Sequence, residues 1–124
     1  MDMVPVKVLL ADDHRMLREG LRAMLDQSGQ VQVVGEAQDG NQAVAMTEQL
    51  QPDVVVMDIA MPNLNGIEAT RVIRQKHPNI KILILTMYET EEYVSEVLKA
   101  GATGYVTKEA AGEELLQAIL SVVK

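Results

Sequence analysis

The chain has 124 residues, 48% of them hydrophobic, no cysteine and a formal net charge of −7. Length and apolar content fit one domain with a single core, and without Phe or Trp that core is aliphatic, the aromatic residues being Tyr88, Tyr93 and Tyr105. Disulfides, thiol catalysis and cysteine metal sites are excluded, and the acidic balance argues against direct binding of this segment to DNA or an anionic membrane, surfaces that demand clustered Lys and Arg.

In chain order, Val6 to Ala11 is too short for a helix and reads as a buried strand. Its apolar stretch Val8-Leu9-Leu10-Ala11 is also far too short for a signal peptide or a membrane span, so a soluble cytoplasmic protein is expected. Asp12, Asp13 and His14 follow, then a helix from about Arg15 to Gln27 with apolar residues at Leu17, Leu21 and Met24. Val31 to Ala37 is the second strand and about Asn41 to Gln49 the second helix. Pro52 lies in the connection to a third strand, Val54 to Met57, which runs into Asp58. Asn65 with Glu68 resembles a capping box for a helix from Ile67 to His77. Past Pro78, the strand Ile80 to Leu85 ends at Thr86. Thr90 followed by Glu91 and Glu92 then puts acids on the amino terminus of a helix reaching Ala100. Gly101 suits a left-handed helix end. The last strand, Gly104 to Thr107, precedes Lys108 and a final helix from about Glu113 to Val123.

Five strands alternating with five helices predict a doubly wound, flavodoxin-like α/β fold, a parallel sheet in the order 2-1-3-4-5 with right-handed crossovers. Its switch point lies between strands one and three, the strands that end in Asp12-Asp13 and in Asp58. Thr86 and Lys108 stand at the ends of strands four and five and open onto the same crevice. At 4 Å and an effective dielectric of about 20, each pair of carboxylates there costs roughly 4 kcal/mol, so the cluster requires a divalent cation, a lysine, or both. A carboxylate such as Asp58 is a nucleophile toward phosphorus, Asp12 and Asp13 are hard oxygen donors suited to Mg²⁺, and Lys108 and Thr86 supply a charge and a hydroxyl for phosphoryl oxygens.

At these residues the chain resembles the receiver domain of bacterial two-component response regulators, from about Val6 to Val123. The matching stretches are Leu9-Leu10-Ala11-Asp12-Asp13-His14, then Val56-Met57-Asp58-Ile59-Ala60-Met61-Pro62-Asn63-Leu64-Asn65-Gly66, then Leu83-Ile84-Leu85-Thr86, and Gly101-Ala102-Thr103-Gly104-Tyr105-Val106-Thr107-Lys108. The resemblance implies that Asp58 is the phosphoacceptor and that Asp12, Asp13, Asp58 and the Ala60 backbone carbonyl hold Mg²⁺. It likewise implies that Lys108 contacts the phosphoryl group and that Thr86 and Tyr105 form the switch pair. The donor is then a sensor histidine kinase, with the receiver catalysing transfer onto its own aspartate. Two positions depart from the common pattern: Glu109 stands where Pro often follows the lysine, and Met87 where a small residue often follows the threonine; Ala60 and Tyr88 flank the site at positions where side chains influence attacking water.

Residues 1–124 are read as one receiver domain with no output domain, ending directly after the last helix. The loop and fourth-helix sequences resemble receivers fused to a LuxR-type helix-turn-helix, so DNA is an expected partner only through that missing domain. A homodimer on phosphorylation is expected, through either the fourth- and fifth-helix face or a first- and fifth-helix surface. A haloacid-dehalogenase-type phosphohydrolase fits less well, since that class sets its nucleophile in Asp-x-Asp after the first strand. Dinucleotide binding lacks any Gly-x-Gly-x-x-Gly. His14 reads as a capping or solvent-exposed residue, His77 as a helix end, and Met16, Met24, Met46, Met57, Met61 and Met87 as core filling.

Overall fold

The computed structural model describes residues 4–87, 91–110 and 112–123. Tyr88 and Thr90, and with Thr90 the residue expected just before the fourth helix, lie outside the described residues, as does the side chain of Tyr93. The elements alternate as β1 (Val6–Ala11), α1 (Arg15–Gln27), β2 (Val31–Ala37), α2 (Gly40–Leu50), β3 (Val54–Asp58), α3 (Gly66–Lys76), β4 (Lys81–Thr86), α4 (Glu91–Lys99), β5 (Gly104–Thr107) and α5 (Glu113–Val122). All strand pairs are parallel and the order is β2-β1-β3-β4-β5, as expected.

Strand geometry sends successive side chains to opposite faces, and the core divides accordingly. Leu9, Ala11, Val55, Met57, Ile82 and Ile84 face α2, α3 and α4, where Ala43, Ile67, Ile73 and Val97 close one layer. Val8, Leu10, Val54, Val56, Leu83 and Leu85 face α1 and α5, packing on Leu21, Leu25, Leu115 and Ile119. Central strands buried on both sides read as unbroken apolar runs, whereas β2, at the sheet edge, alternates more between buried and open positions.

Strand ends differ from the sequence reading by one residue. Asp58 and Thr86 are the last members of β3 and β4, in register with Leu85 and Thr107. The ladder is made by backbone groups, so a polar side chain does not end it. Ile80 falls outside β4, its N–H turning back to the His77 carbonyl. A 3-10 turn at Lys108–Ala110, unmarked by any periodicity, follows β5 directly. The peptide bond between Lys108 and Glu109 is trans.

Among the described residues two helix caps are made by side chains. Asp39 accepts from the Gln42 N–H at 2.8 Å, and Asn65 from the Glu68 N–H at 2.9 Å. The expected capping box at α3 is half formed, because the Glu68 carboxylate pairs with Arg71. Gly101 has φ +109°, with its N–H on the Leu98 carbonyl, a backbone state that favours glycine at this helix end. Of the methionines, Met57 and Met61 are core residues and Met24 and Met46 pack against it, but Met16 and Met87 are exposed (88% and 71%), so those two do not fill the core.

Candidate functional site

Parallel order places the carboxyl ends of β1, β3, β4 and β5 on one rim. Asp12 and Asp13 leave β1, Asp58 ends β3, Thr86 ends β4 and Lys108 follows β5. Asp12, Asp58 and Thr86 are buried, while Asp13 is more open. Lys108 Nζ lies 3.2 Å from Asp58 Oδ2 and 3.7 Å from Asp12 Oδ2. These are ion pairs without hydrogen-bond geometry, because neither Oδ2, though buried, accepts a hydrogen bond. A buried carboxylate oxygen left so is costly, and two aimed at one spot mark a place for a further positive charge.

Burial pushes the Asp58 carboxyl above its ordinary value, the Asp12 charge pushes it the same way, and the Lys108 ammonium opposes both. Ligand atoms of Asp12, Asp13, His14 and Asp58 all lie within 4.8 Å of one another. Hard carboxylate oxygens around a crevice are the donor set for Mg²⁺, so residues and ion fit. A cavity of about 100 Å³ beside them is lined by His14, Asp58, Ile59, Ala60, Thr86, Met87 and Lys108. A larger open groove of about 660 Å³ lies away from the acids, between α3 and α4, among Arg71, Arg74 and Lys99, and holds none of the site residues.

Six of the seven expected residues, Asp12, Asp13, Asp58, Ala60, Thr86 and Lys108, therefore share the rim. Tyr105 does not line the cavity: on β5, opposite Ile84, it is 38% exposed. Met87, exposed, also lines the cavity. His14 is the first flanking residue of α1, yet its side chain makes no capping hydrogen bond.

One group escaped the sequence reading. Arg18 is buried and donates to the Asp12 carbonyl at 2.6 Å and to Glu36 Oε1 at 2.7 Å, while Arg22 donates to Glu36 Oε2 at 2.6 Å. Burial works against the Glu36 charge, but Arg22 and Arg18 together hold its carboxyl below its ordinary value. The signal was available: Arg18 stands three and seven residues before Leu21 and Leu25, on the buried stripe of α1, and Glu36 interrupts an apolar strand.

A five-stranded doubly wound parallel sheet with an acid cluster and a lysine at its switch point puts the chain among small α/β domains that carry a charged site at their strand ends. The profile of the response regulator receiver domain matches residues 8–120, and the chain belongs to that family. It is 40% identical over 119 residues to the transcriptional regulatory protein DegU of Brevibacillus brevis, covering 96% of this chain and 50% of the relative. To the response regulator GacA of Pseudomonas syringae pv. syringae it is 43% identical over 114 residues, covering 92% and 53%. The chain thus spans about half the length of the curated relatives it matches. Among solved structures, a LuxR-family two-component response regulator from Aurantimonas sp. superposes with a TM-score of 0.91 at 40% identity, covering 97% of this chain and 86% of that one. The receiver domain of NarL from Mycobacterium tuberculosis gives 0.92 at 32% identity, with 96% of each chain covered. Among the described residues no helix is long and apolar enough to cross a membrane.

Proposed function

We propose that the domain is a phosphorylation-activated switch in which Asp58 accepts a phosphoryl group from a sensor histidine kinase. The observation that carries this reading is the buried, hydrogen-bond-orphaned Asp58 Oδ2 at the end of β3, facing a lysine and two further acids. In the step, a carboxylate oxygen of Asp58 bonds to phosphorus, the donor's N–P bond breaks, and the leaving imidazole keeps the electron pair and takes up a proton. Asp12, Asp13, Asp58 and the Ala60 carbonyl would hold Mg²⁺, which when bound neutralises charge on the transferring phosphoryl group. Lys108, already 3.2 Å from Asp58, exchanges a carboxylate oxygen for a phosphoryl oxygen. Domain catalysis then consists of positioning by its own residues.

That Thr86 lines the same cavity as Asp58 supports a role for its hydroxyl in following the new anion. Tyr105, exposed on β5 opposite Ile84 and two residues before the partner of Thr86, turns inward in the phosphorylated state and changes the face of α4, β5 and α5. That face, or the α1 and α5 surface, carries homodimerisation. The relatives' names, a transcriptional regulatory protein and a LuxR-family response regulator, support a receiver of a transcription regulator; in this reading the protein is cytoplasmic and reaches DNA through a helix-turn-helix domain outside this segment.

Intact mass after incubation with a small-molecule phosphodonor tests the chemistry. One added phosphoryl group that requires both Mg²⁺ and Asp58, being absent in Asp58→Asn, is the expected result. No adduct, together with no fluoroberyllate binding, overturns the reading in favour of an unphosphorylated binding domain.

A further inference from the structure

We propose that His14 adds an imidazole ligand to the acid cluster and makes it a site for borderline first-row dications of the Zn²⁺ kind, whose binding closes Asp58 to phosphorylation. The proposal rests on the Mg²⁺ reading of the three carboxylates and adds a ligand that Mg²⁺ does not use.

The His14 imidazole is hydrogen-bonded to Asp12 Oδ1, and its distances to the carboxylates come close to those within one coordination sphere, while the whole ligand set, spread over up to 4.8 Å, must draw together slightly around an ion. His14 Nδ1 lies 3.1 Å from Asp12 Oδ1, 3.3 Å from Asp13 Oδ1 and 4.0 Å from Asp58 Oδ2. Two ligand atoms bound about 2.0 Å from one tetrahedral ion stand roughly 3.3 Å apart, and octahedral neighbours and opposites at about 2.1 Å stand roughly 3.0 and 4.2 Å apart. The observed separations fall in that range. The buried Oδ2 atoms of Asp12 and Asp58 have one ammonium, that of Lys108, between them and no hydrogen bond of good geometry, which leaves the pair short of positive charge. The His14 backbone N–H, donating to Asp12 Oδ1 at 2.7 Å, pins the residue to the cluster, and helix capping makes no use of its side chain.

Chemistry then separates the ions. Mg²⁺ takes oxygen ligands and retains water, whereas imidazole suits Zn²⁺, Co²⁺ and their neighbours, which also bind more tightly along the first-row series. Lys108 Nζ sits 3.4 Å from His14 Nδ1 and 3.2 Å from Asp58 Oδ2, so it neutralises the atoms an ion would take and competes with it. An ion held by His14 and Asp58 draws on the acceptor oxygen itself and fixes the imidazole at the 100 Å³ cavity that a phosphodonor enters.

The test is calorimetric titration of tag-free protein with Zn²⁺ and, separately, Mg²⁺, on the wild type and His14→Ala, with Co²⁺ absorption as the ligand-sensitive readout. We expect Zn²⁺ affinity to fall on the order of 10- to 100-fold in His14→Ala, by analogy with the sensitivity of metal sites to lost partners, with Mg²⁺ affinity changed less than about 3-fold. The Co²⁺ visible bands should weaken or shift on the same substitution, and the Zn²⁺ concentration that halves phosphoryl acceptance should rise with the dissociation constant. Unchanged Zn²⁺ affinity, or parallel loss of both ions, overturns the proposal. Failure of the wild type to bind Mg²⁺ while Zn²⁺ binding depends on His14 would instead strike the proposed function alone.

Discussion

Replacing Asp58 with asparagine should stabilise the metal-free domain at neutral pH. Ligand oxygens of Asp12, Asp13 and Asp58 lie within 4.8 Å of one another, so at an effective dielectric of about 20 each pair of charges costs about 3.5 kcal/mol or more. Lys108, 3.2 Å from Asp58, returns about 5 kcal/mol by the same arithmetic. Asp13 is partly open to solvent, which screens its share. Repulsion and burial together exceed the attraction, in agreement with the raised Asp58 carboxyl, and the net relief on neutralisation is about 1–2 kcal/mol. With an unfolding entropy of about 2.1 cal/mol/K per residue, that raises the melting temperature of a domain this size by about 4–8 °C.

The sign with pH follows from proton binding. The folded Asp58 carboxyl holds its proton to higher pH than the unfolded one, so wild-type stability falls as pH rises from the ordinary carboxylate value through the raised folded value. The advantage of Asp58→Asn is therefore full above that window and absent below it. Thermal melts in EDTA at neutral and acid pH read both limits. Added Mg²⁺ should reverse the order, since saturating ligand at about 100 times its dissociation constant stabilises the wild type by about 2.7 kcal/mol while the variant lacks one donor. An Asp58→Asn domain less stable than wild type at neutral pH without metal would refute the account, as would a gain that persists at acid pH.

Arg18→Met should cost about 3 kcal/mol, the lower part of the range for a broken buried ion pair because Arg22 still holds Glu36. Urea denaturation should show this, and Glu36→Gln in the same chain should recover part of it. Asn65→Ala removes the acceptor of the Glu68 N–H and should lower stability by about 1 kcal/mol in the same assay. Gly66→Ala should destabilise, although alanine ordinarily favours helix over glycine by about 1 kcal/mol, because its Cβ would lie 2.0 Å from the Asp58 carbonyl oxygen. A more stable Gly66→Ala would show that the end of β3 yields freely.

The sheet was legible because its central strands are buried on both faces and so carry continuous Val, Ile and Leu. Once strand order followed from alternation with helices, the rim and most of its residues came with it. What stayed hidden depends on through-space partners. The position of Arg18 on the apolar stripe of α1 marks it as buried, but its partners show only once Glu36, eighteen residues on, and the Asp12 carbonyl are placed beside it. Met16 and Met87 read as core by residue type, yet exposure is set by which face of the local backbone meets the sheet. The 3-10 turn at Lys108 has too few residues to show a period.

A cluster of like charges cannot hold itself together, so its geometry must be imposed from outside the crevice. On β1 that is done by Arg18, whose guanidinium fixes the Asp12 carbonyl while Glu36, itself held by Arg22, neutralises and orients it. On β3 it is done by the start of α3: the Gly66 N–H donates to the Ile59 carbonyl at 2.9 Å, and the missing side chain lets the helix lie against the Asp58 backbone. Both anchors bind main chain and leave the Oδ2 atoms of Asp12 and Asp58 without hydrogen bonds. Repulsion that would otherwise move the strand ends apart is thereby retained as affinity for a cation, and that affinity should weaken in Arg18→Met even where the domain remains folded, a loss of Mg²⁺ binding that calorimetry on the folded variant would detect.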